Sequence, residues 1–164
     1  MKSQRNQKGF SLIELLIVVA IILIIAAIAI PNLLQARVAA HQASAVSSLR
    51  TINTANIMYI STYPTDGYAA TLTALGGTAC APADSTAACL IDQQLASGTK
   101  TGYTFSLIGI GGVPATTYFA AATPISGMGN MSYCTTEDAV IHLDPSGAAI
   151  ADHDSCIALN ALEN

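Results

Sequence analysis

Two groups of residues in this chain could do chemistry: a lone carboxylate, Glu14, set in an apolar run behind a basic leader, and four cysteines, Cys80, Cys89, Cys134 and Cys156. An acid in a membrane-spanning helix costs about 2.5 to 3.5 kcal/mol at the bilayer centre and less near the interface, unless a cation answers it. A cut between Gly9 and Phe10 would supply one, because the new α-amine would lie one helical turn from Glu14. That amine could belong to the same chain or to a neighbouring copy. A buried pair between copies is a weak source of stability but well suited to fixing the register of helices packed side by side. The cysteines are even in number, which suits disulfides in an oxidising compartment. Cys80 with Cys89 and Cys134 with Cys156 are the expected pairs, while four cysteines allow three connectivities. Free thiols or a zinc site fit less well, since no C-x-x-C and no close Cys/His pairing occurs.

The element that carries Glu14 is a helix. From Phe10 through Ile30 the only polar side chains are Ser11 and Glu14. At about 1.5 Å per residue such a segment reaches roughly 31 Å, the thickness of a bilayer's hydrocarbon layer, where every backbone group must bond internally. Lys2, Arg5 and Lys8 precede the span, and the next 30 residues carry only Arg37 and Arg50. The positive-inside rule therefore places the N-terminus in the cytoplasm and the cysteines outside.

A secretory signal peptide also begins basic and continues apolar, and Ala27-Ile28-Ala29 offers a cleavage pattern. Its apolar core would be too long, would contain Glu14, and would be followed at once by Pro31. A lipoprotein signal needs a cysteine at the cut, and none occurs before Cys80. A plain uncut anchor leaves Glu14 unexplained.

The segment KGFSLIELLIVVAIILIIAAIAIP, residues 8 to 31, resembles the N-terminus of type IV prepilins and of the related pseudopilins of type II secretion systems. The resemblance implies cleavage after Gly9 by a membrane prepilin peptidase and N-methylation of Phe10. It places the family's glutamate on Glu14 without a gap, and its helix-bending proline on Pro31. It extends with less force to about residue 60. What it implies is a protein held in the inner membrane and then extracted by an assembly platform into a helical homo-oligomeric filament, its apolar helices in the filament core. A helix apolar on nearly all faces must indeed be buried in lipid or among its own copies, and methylation would leave the amine charged.

The chain then divides into a leader (1–9), an apolar helix (10–31), an amphipathic continuation (32–62) and an extracytoplasmic β-rich head (63–164). In the continuation Leu34, Val38, Ala45, Leu49, Ile52, Ala55 and Tyr59 form one apolar stripe, with Gln35, Gln42, Ser47, Arg50 and Asn53 on other faces. Pro31 predicts a bend or local unwinding around Ala27 to Pro31. Beyond residue 63, Pro64, Gly67, Gly76, Gly77 and Pro82 punctuate a loop, and Leu90 to Ala96 reads as a short helix. Residues 102–108 and 116–122 read as a hairpin, Ala139 to Leu143 as a strand, Asp144-Pro-Ser-Gly147 as a turn and Ala148 to Ala151 as a further strand. The fold expected is α+β: a long N-terminal helix packed on an antiparallel sheet of three or four strands, the pilin architecture.

Nothing in the head points to catalysis, since G-x-S-x-G, H-E-x-x-H and phosphate-binding Gly-rich patterns are missing. The chain is therefore not expected to be an enzyme. Asp144, Asp152 and Asp154 are the residue type that calcium takes, and one class of pseudopilins carries such a site, but the EF-hand spacing is absent and a solvated acidic edge is the simpler reading. No cofactor is expected. Removing the leader leaves three basic against ten acidic side chains, which disfavours nucleic acid as a partner. The expected function is that of a structural subunit of a type IV pilus-like filament, with a type II secretion pseudopilin, a periplasmic piston of the same architecture, as the alternative. Disulfides and a head rich in Ala, Thr and Gly favour the extracellular pilus. An anchored ligand-binding module would instead need an uncut leader and a convergent polar pocket in the head.

Overall fold

A computed structural model describes residues 9–77 and 82–162. The first element, α1 (Leu12–Thr62), runs for 51 residues, and two compact units divide the chain between Ala36 and Arg37. In the first unit the chain from Gly9 to Ala36 is exposed at every residue but Ala26. From Leu15 to Ile30 its side chains are only Leu, Ile, Val and Ala, which hold a helix in lipid because the backbone satisfies itself within the segment. The unwinding expected around Ala27 to Pro31 does not occur: the segment stays α-helical through Pro31. Proline removes one backbone donor, while the bonds of the flanking turns remain.

The second unit begins with the rest of α1, whose buried face is Ala45, Ser48, Leu49, Ile52, Asn53, Ala55, Asn56 and Tyr59. The expected stripe is therefore correct from Ala45 onward. Leu34 is 59% exposed and Val38 half-buried, so its first two members lie off the head's core. Asn53 is a second correction, since it faces inward rather than onto the polar side.

Two short helices follow, α2 (Leu72–Leu75) and α3 (Gln93–Ala96). Each starts where a side chain can take an orphan backbone donor: Thr71 accepts from Ala74 N–H, and Asp92 from Leu95 N–H at 3.0 Å. Then come β1 (Thr99–Lys100), β2 (Tyr103–Ile110), β3 (Thr117–Pro124), β4 (Ser132–Thr136), β5 (Ile141–Asp144), the helix α4 (His153–Ile157) and β6 (Asn160–Ala161). The six strands form one antiparallel sheet in chain order.

Six strands replace the three or four expected. The hairpin of β2 and β3 stands where the two β-rich runs place it, with Phe105 opposite Ala122 and Leu107 opposite Ala120. Strand β4 has no simple alternation to announce it, because all five of its residues are buried. The strand expected at Ala148 to Ala151 does not form. Ile150 packs instead against Phe119, Ala121, Cys134 and Cys156, and β5 takes its next neighbour from Asn160–Ala161. The Asp144–Gly147 turn forms as read: Asp144 Oδ1 accepts from Ser146 N–H at 2.9 Å, and Gly147 takes a φ of 70°.

The sheet thus has two covered faces. Tyr103, Phe105 and Leu107 of β2, Tyr118, Ala120 and Ala122 of β3, Tyr133 of β4 and Ile141 of β5 share one core with Leu49, Ile52, Ala55 and Tyr59 of α1. Phe119, Ala121 and Cys134 turn to the other face, where α4 and its Cys156 meet them. Strand β3 is consequently buried from Tyr118 through Ala122 on both sides.

Candidate functional site

Gly9 and Phe10 are exposed, Phe10 at 86%. Among the described residues no atom lies within 4 Å of where a side chain on Gly9 would begin, so none of them crowds the Gly9–Phe10 bond. Ser11 precedes α1 and Glu14 is its third residue; the Ser11 backbone N–H donates to Glu14 Oε2 at 2.9 Å. This is the carboxylate half of a capping box, in which the third helical residue reaches back to satisfy a donor that the helix leaves unpaired. The Ser-x-x-Glu pattern at 11–14 is its signal in the sequence, one that hydropathy alone passes over. Two consequences follow. Glu14 is answered in part by its own helix, which lowers the cost of placing it in an apolar run. Its carboxylate is also held toward the helix N-terminus, where the dipole favours an anion and where a new α-amine at Phe10 would lie within a turn.

Behind Glu14 the helix offers only apolar surface. The most apolar 18-residue window of α1 has a mean hydropathy of 3.3 and none of it is buried, so among the described residues one helix is long and apolar enough to cross a membrane.

In the head, Cys134 of β4 and Cys156 of α4 are joined with an S–S distance of 2.06 Å and a Cα separation of 6.0 Å, the pairing expected. The expected partner of Cys89, Cys80, lies outside the described residues. No described cysteine is free. Within the loop that Cys134 and Cys156 close, His153 of α4 places Nε2 3.0 Å from Glu137 Oε2 and Nδ1 3.3 Å from Asp154 Oδ1. Partial burial alone would lower the His153 pKa, but its hydrogen bonds to Glu137 and then Asp154 outweigh that and raise it above the ordinary histidine value. His142 of β5 stands opposite Cys134 of β4 and donates through Nδ1 to the Leu159 carbonyl at 2.9 Å, while its Nε2 stands 3.7 Å from Asp138. His41 reaches the Met128 carbonyl at 2.9 Å through Nδ1.

The three acids considered for calcium do not converge. Asp144 closes its own turn, accepting from Ser146 N–H and Oγ–H, whose side-chain and backbone bonds hold its pKa below the usual carboxylate range. Asp152 caps α4 by accepting from Ser155 N–H at 2.8 Å. Asp154 turns to His153. Among the described residues no group of three His, Cys, Asp or Glu side chains could hold a metal ion.

Residues 4–30 match the family described as the prokaryotic N-terminal methylation motif. Among curated proteins, the chain is 76% identical over 33 residues to the type IV wide pilus major component of Thermus thermophilus, a stretch covering 20% of this chain and 25% of that protein. It is 48% identical over 56 residues to the type IV major pilin protein of Myxococcus xanthus, covering 34% and 26%. With the type II secretion system core protein G of Vibrio cholerae it shares 41% identity over 68 residues, 40% of this chain and 47% of that one. The chain thus spans about a quarter of the length of the first two relatives and under half of the third. No solved structure matches it. The resemblance read from residues 8 to 31 is thereby shown, and the α+β fold behind it is a long helix with an antiparallel sheet.

Proposed function

We propose that this protein is a structural subunit of a type IV pilus-like filament, cleaved after Gly9 by a prepilin peptidase, N-methylated at Phe10, and assembled through α1. The observation that carries the proposal is the N-terminal arrangement: an exposed Gly9–Phe10 pair, a carboxylate on Glu14 held toward it, and an apolar surface with no residue of its most apolar stretch buried in the single chain. Such a surface needs lipid before assembly and its own copies afterwards. In the inner membrane the N-terminus is cytoplasmic; in the filament the freed amine of one copy meets Glu14 of another. An assembly platform in that membrane is the further partner the reading requires, and the acidic mature chain offers nucleic acid little.

A second reading, a pseudopilin forming a short periplasmic filament, is favoured by one observation. Of the three relatives above, the type II secretion core protein gives the longest matched stretch. The two readings share one mechanism and differ in where the filament ends.

Mass spectrometry of the mature protein tests the processing step. A chain beginning at N-methyl-Phe10 is expected, and an intact Met1 or a start near Ile30 would overturn it. Electron microscopy of sheared cell-surface material separates the readings, since filaments outside the cell support the pilus and their absence beside a secretion defect supports the piston.

A further inference from the structure

The charged side chains among the described residues of the head pair off almost completely. Asp92 binds Lys100 at 2.8 Å, Glu137 and Asp154 flank His153, and Asp138 accepts from Thr136 and Val140. Asp84, Asp144 and Asp152 accept from their own turns or helix cap. Arg50 is engaged within the chain. Two charges are left among the described residues of this unit: the carboxylate of Asp66 accepts no hydrogen bond and joins no ion pair, and the guanidinium of Arg37, exposed on α1, makes neither.

Asp66 is half-buried and lines a cleft of about 390 Å³ together with Tyr59, Tyr68, Thr71, Ser85 and Thr86. The cleft is built rather than incidental. Asp66 and Tyr68 are fixed by a two-way bridge to the β2–β3 loop, in which Ala115 N–H donates to the Asp66 carbonyl at 2.9 Å and Tyr68 N–H to the Ala115 carbonyl at 3.0 Å. Gly67 makes that approach feasible: its φ is 78°, and a Cβ there would sit on the Ala115 carbonyl oxygen. The Tyr59 hydroxyl is committed to the Ser85 carbonyl at 2.6 Å, and the Tyr68 ring is braced against Tyr118 with centroids 5.0 Å apart. Desolvation and then the nearby Asp66 charge raise the Tyr59 pKa, so that phenol stays neutral beside the acid. An unpaired carboxylate sharing a cleft with two tyrosine rings and the hydroxyls of Thr71 and Thr86 is what a guanidinium recognises, by charge-assisted bonds to the carboxylate and by stacking on the rings.

We propose that this cleft receives Arg37 from a second copy of the chain. The inference rests on the filament reading above and names one of its contacts. Arg37 cannot serve its own cleft, because it lies 22 residues before Tyr59 on the same helix, about 33 Å along the axis. Two parallel copies offset by about that distance bring the unpaired cation of one to the unpaired anion of the other. In a helical array each copy has several neighbours at different offsets, and this contact takes one of them.

A charge-swap cycle in the full chain tests the contact, read as the yield of sheared filaments. Arg37→Asp and Asp66→Arg should each lower it at least about ten-fold, and the two together should restore it to within about three-fold of the wild type. Single variants that assemble normally, or a double variant no better than the worse single one, would overturn the contact while leaving the filament reading intact. A cleft that served a soluble cation instead would give that first result, with Asp66→Asn filaments unchanged. A wild-type chain that forms no filament would overturn the filament reading and this contact with it. Against loss of folding in the charge reversals, Arg37→Lys filaments treated with a carbodiimide should show the new amine joined to Asp66 of another chain in mapped peptides. Joining to other acids only, or to none, would overturn the contact.

Discussion

The Tyr118 hydroxyl donates to Asn53 Oδ1 at 2.8 Å in the core of the head, with both side chains nearly inaccessible to solvent. The amide's other end donates to Thr135 Oγ1 at 3.0 Å and to the Ala139 carbonyl at 3.3 Å. One helical amide thus ties α1 to β3, β4 and the turn that follows. Burial raises the Tyr118 pKa far above the ordinary phenol value, so its proton stays in the bond across the physiological range.

Replacing Asn53 by Ala should destabilise the head by about 2 to 4 kcal/mol, because it strands two buried hydroxyls and opens a void. Tyr118→Phe removes a donor and leaves one acceptor, and should cost about 1 to 2 kcal/mol. Denaturant midpoints of the full chain in detergent, completed by the double variant, measure the coupling; additive single effects would contradict a shared network.

The Cys134–Cys156 bridge closes a loop of 22 residues' separation, and in the chain-entropy account contributes about 3 kcal/mol. Cys134→Ala with Cys156→Ala should lower the melting temperature of the head by several degrees, and a reductant should lower the melt of the wild type further than that of this double variant, which keeps the Cys89 bridge. An unchanged melt would mean that α4 docks through Ile150 and Leu159 alone.

Docking of α4 should also respond to pH. The folded pKa of His153 is raised by its bonds to Glu137 and Asp154 against the effect of burial, so its contribution is fully present below the unfolded histidine pKa, about 6.5, and fades as pH rises through the higher folded value. The stability difference between wild type and His153→Gln should therefore be largest below about pH 6.5 and shrink in alkaline solution. A difference that grows with pH would contradict the ion-pair account.

Glu14→Val should leave membrane insertion unimpaired, since it makes the apolar run more apolar, and should remove filaments. Fractionation checks the first outcome and electron microscopy of sheared material the second. Normal filaments from this variant would remove the pairing role assigned to Glu14, whereas the Ser11 cap alone accounts for at most about 1 kcal/mol of helix stability and none of the assembly.

How far the sequence alone reached depended on the range of the forces involved. Hydropathy over Phe10 to Ile30, the placement of Glu14 and the turn at Asp144–Gly147 are local properties, written in neighbouring residues and independent of where the rest of the chain goes. The inward turn of Asn53, the burial of β4 on both faces, the failure of Ala148 to Ala151 to form a strand and the meeting of Asp66 with Tyr59 and Tyr68 are not local. Each depends on partners far along the chain, and a polar residue on a helix reads as solvent-facing until a hydroxyl from a distant strand arrives to satisfy it. The sequence therefore determined which segment must leave water and which residue within it carries charge. Only the tertiary structure decided which polar groups the head buries, and which two charges among the described residues it leaves without a partner, because pairing is a matter of distances that the order of residues does not contain.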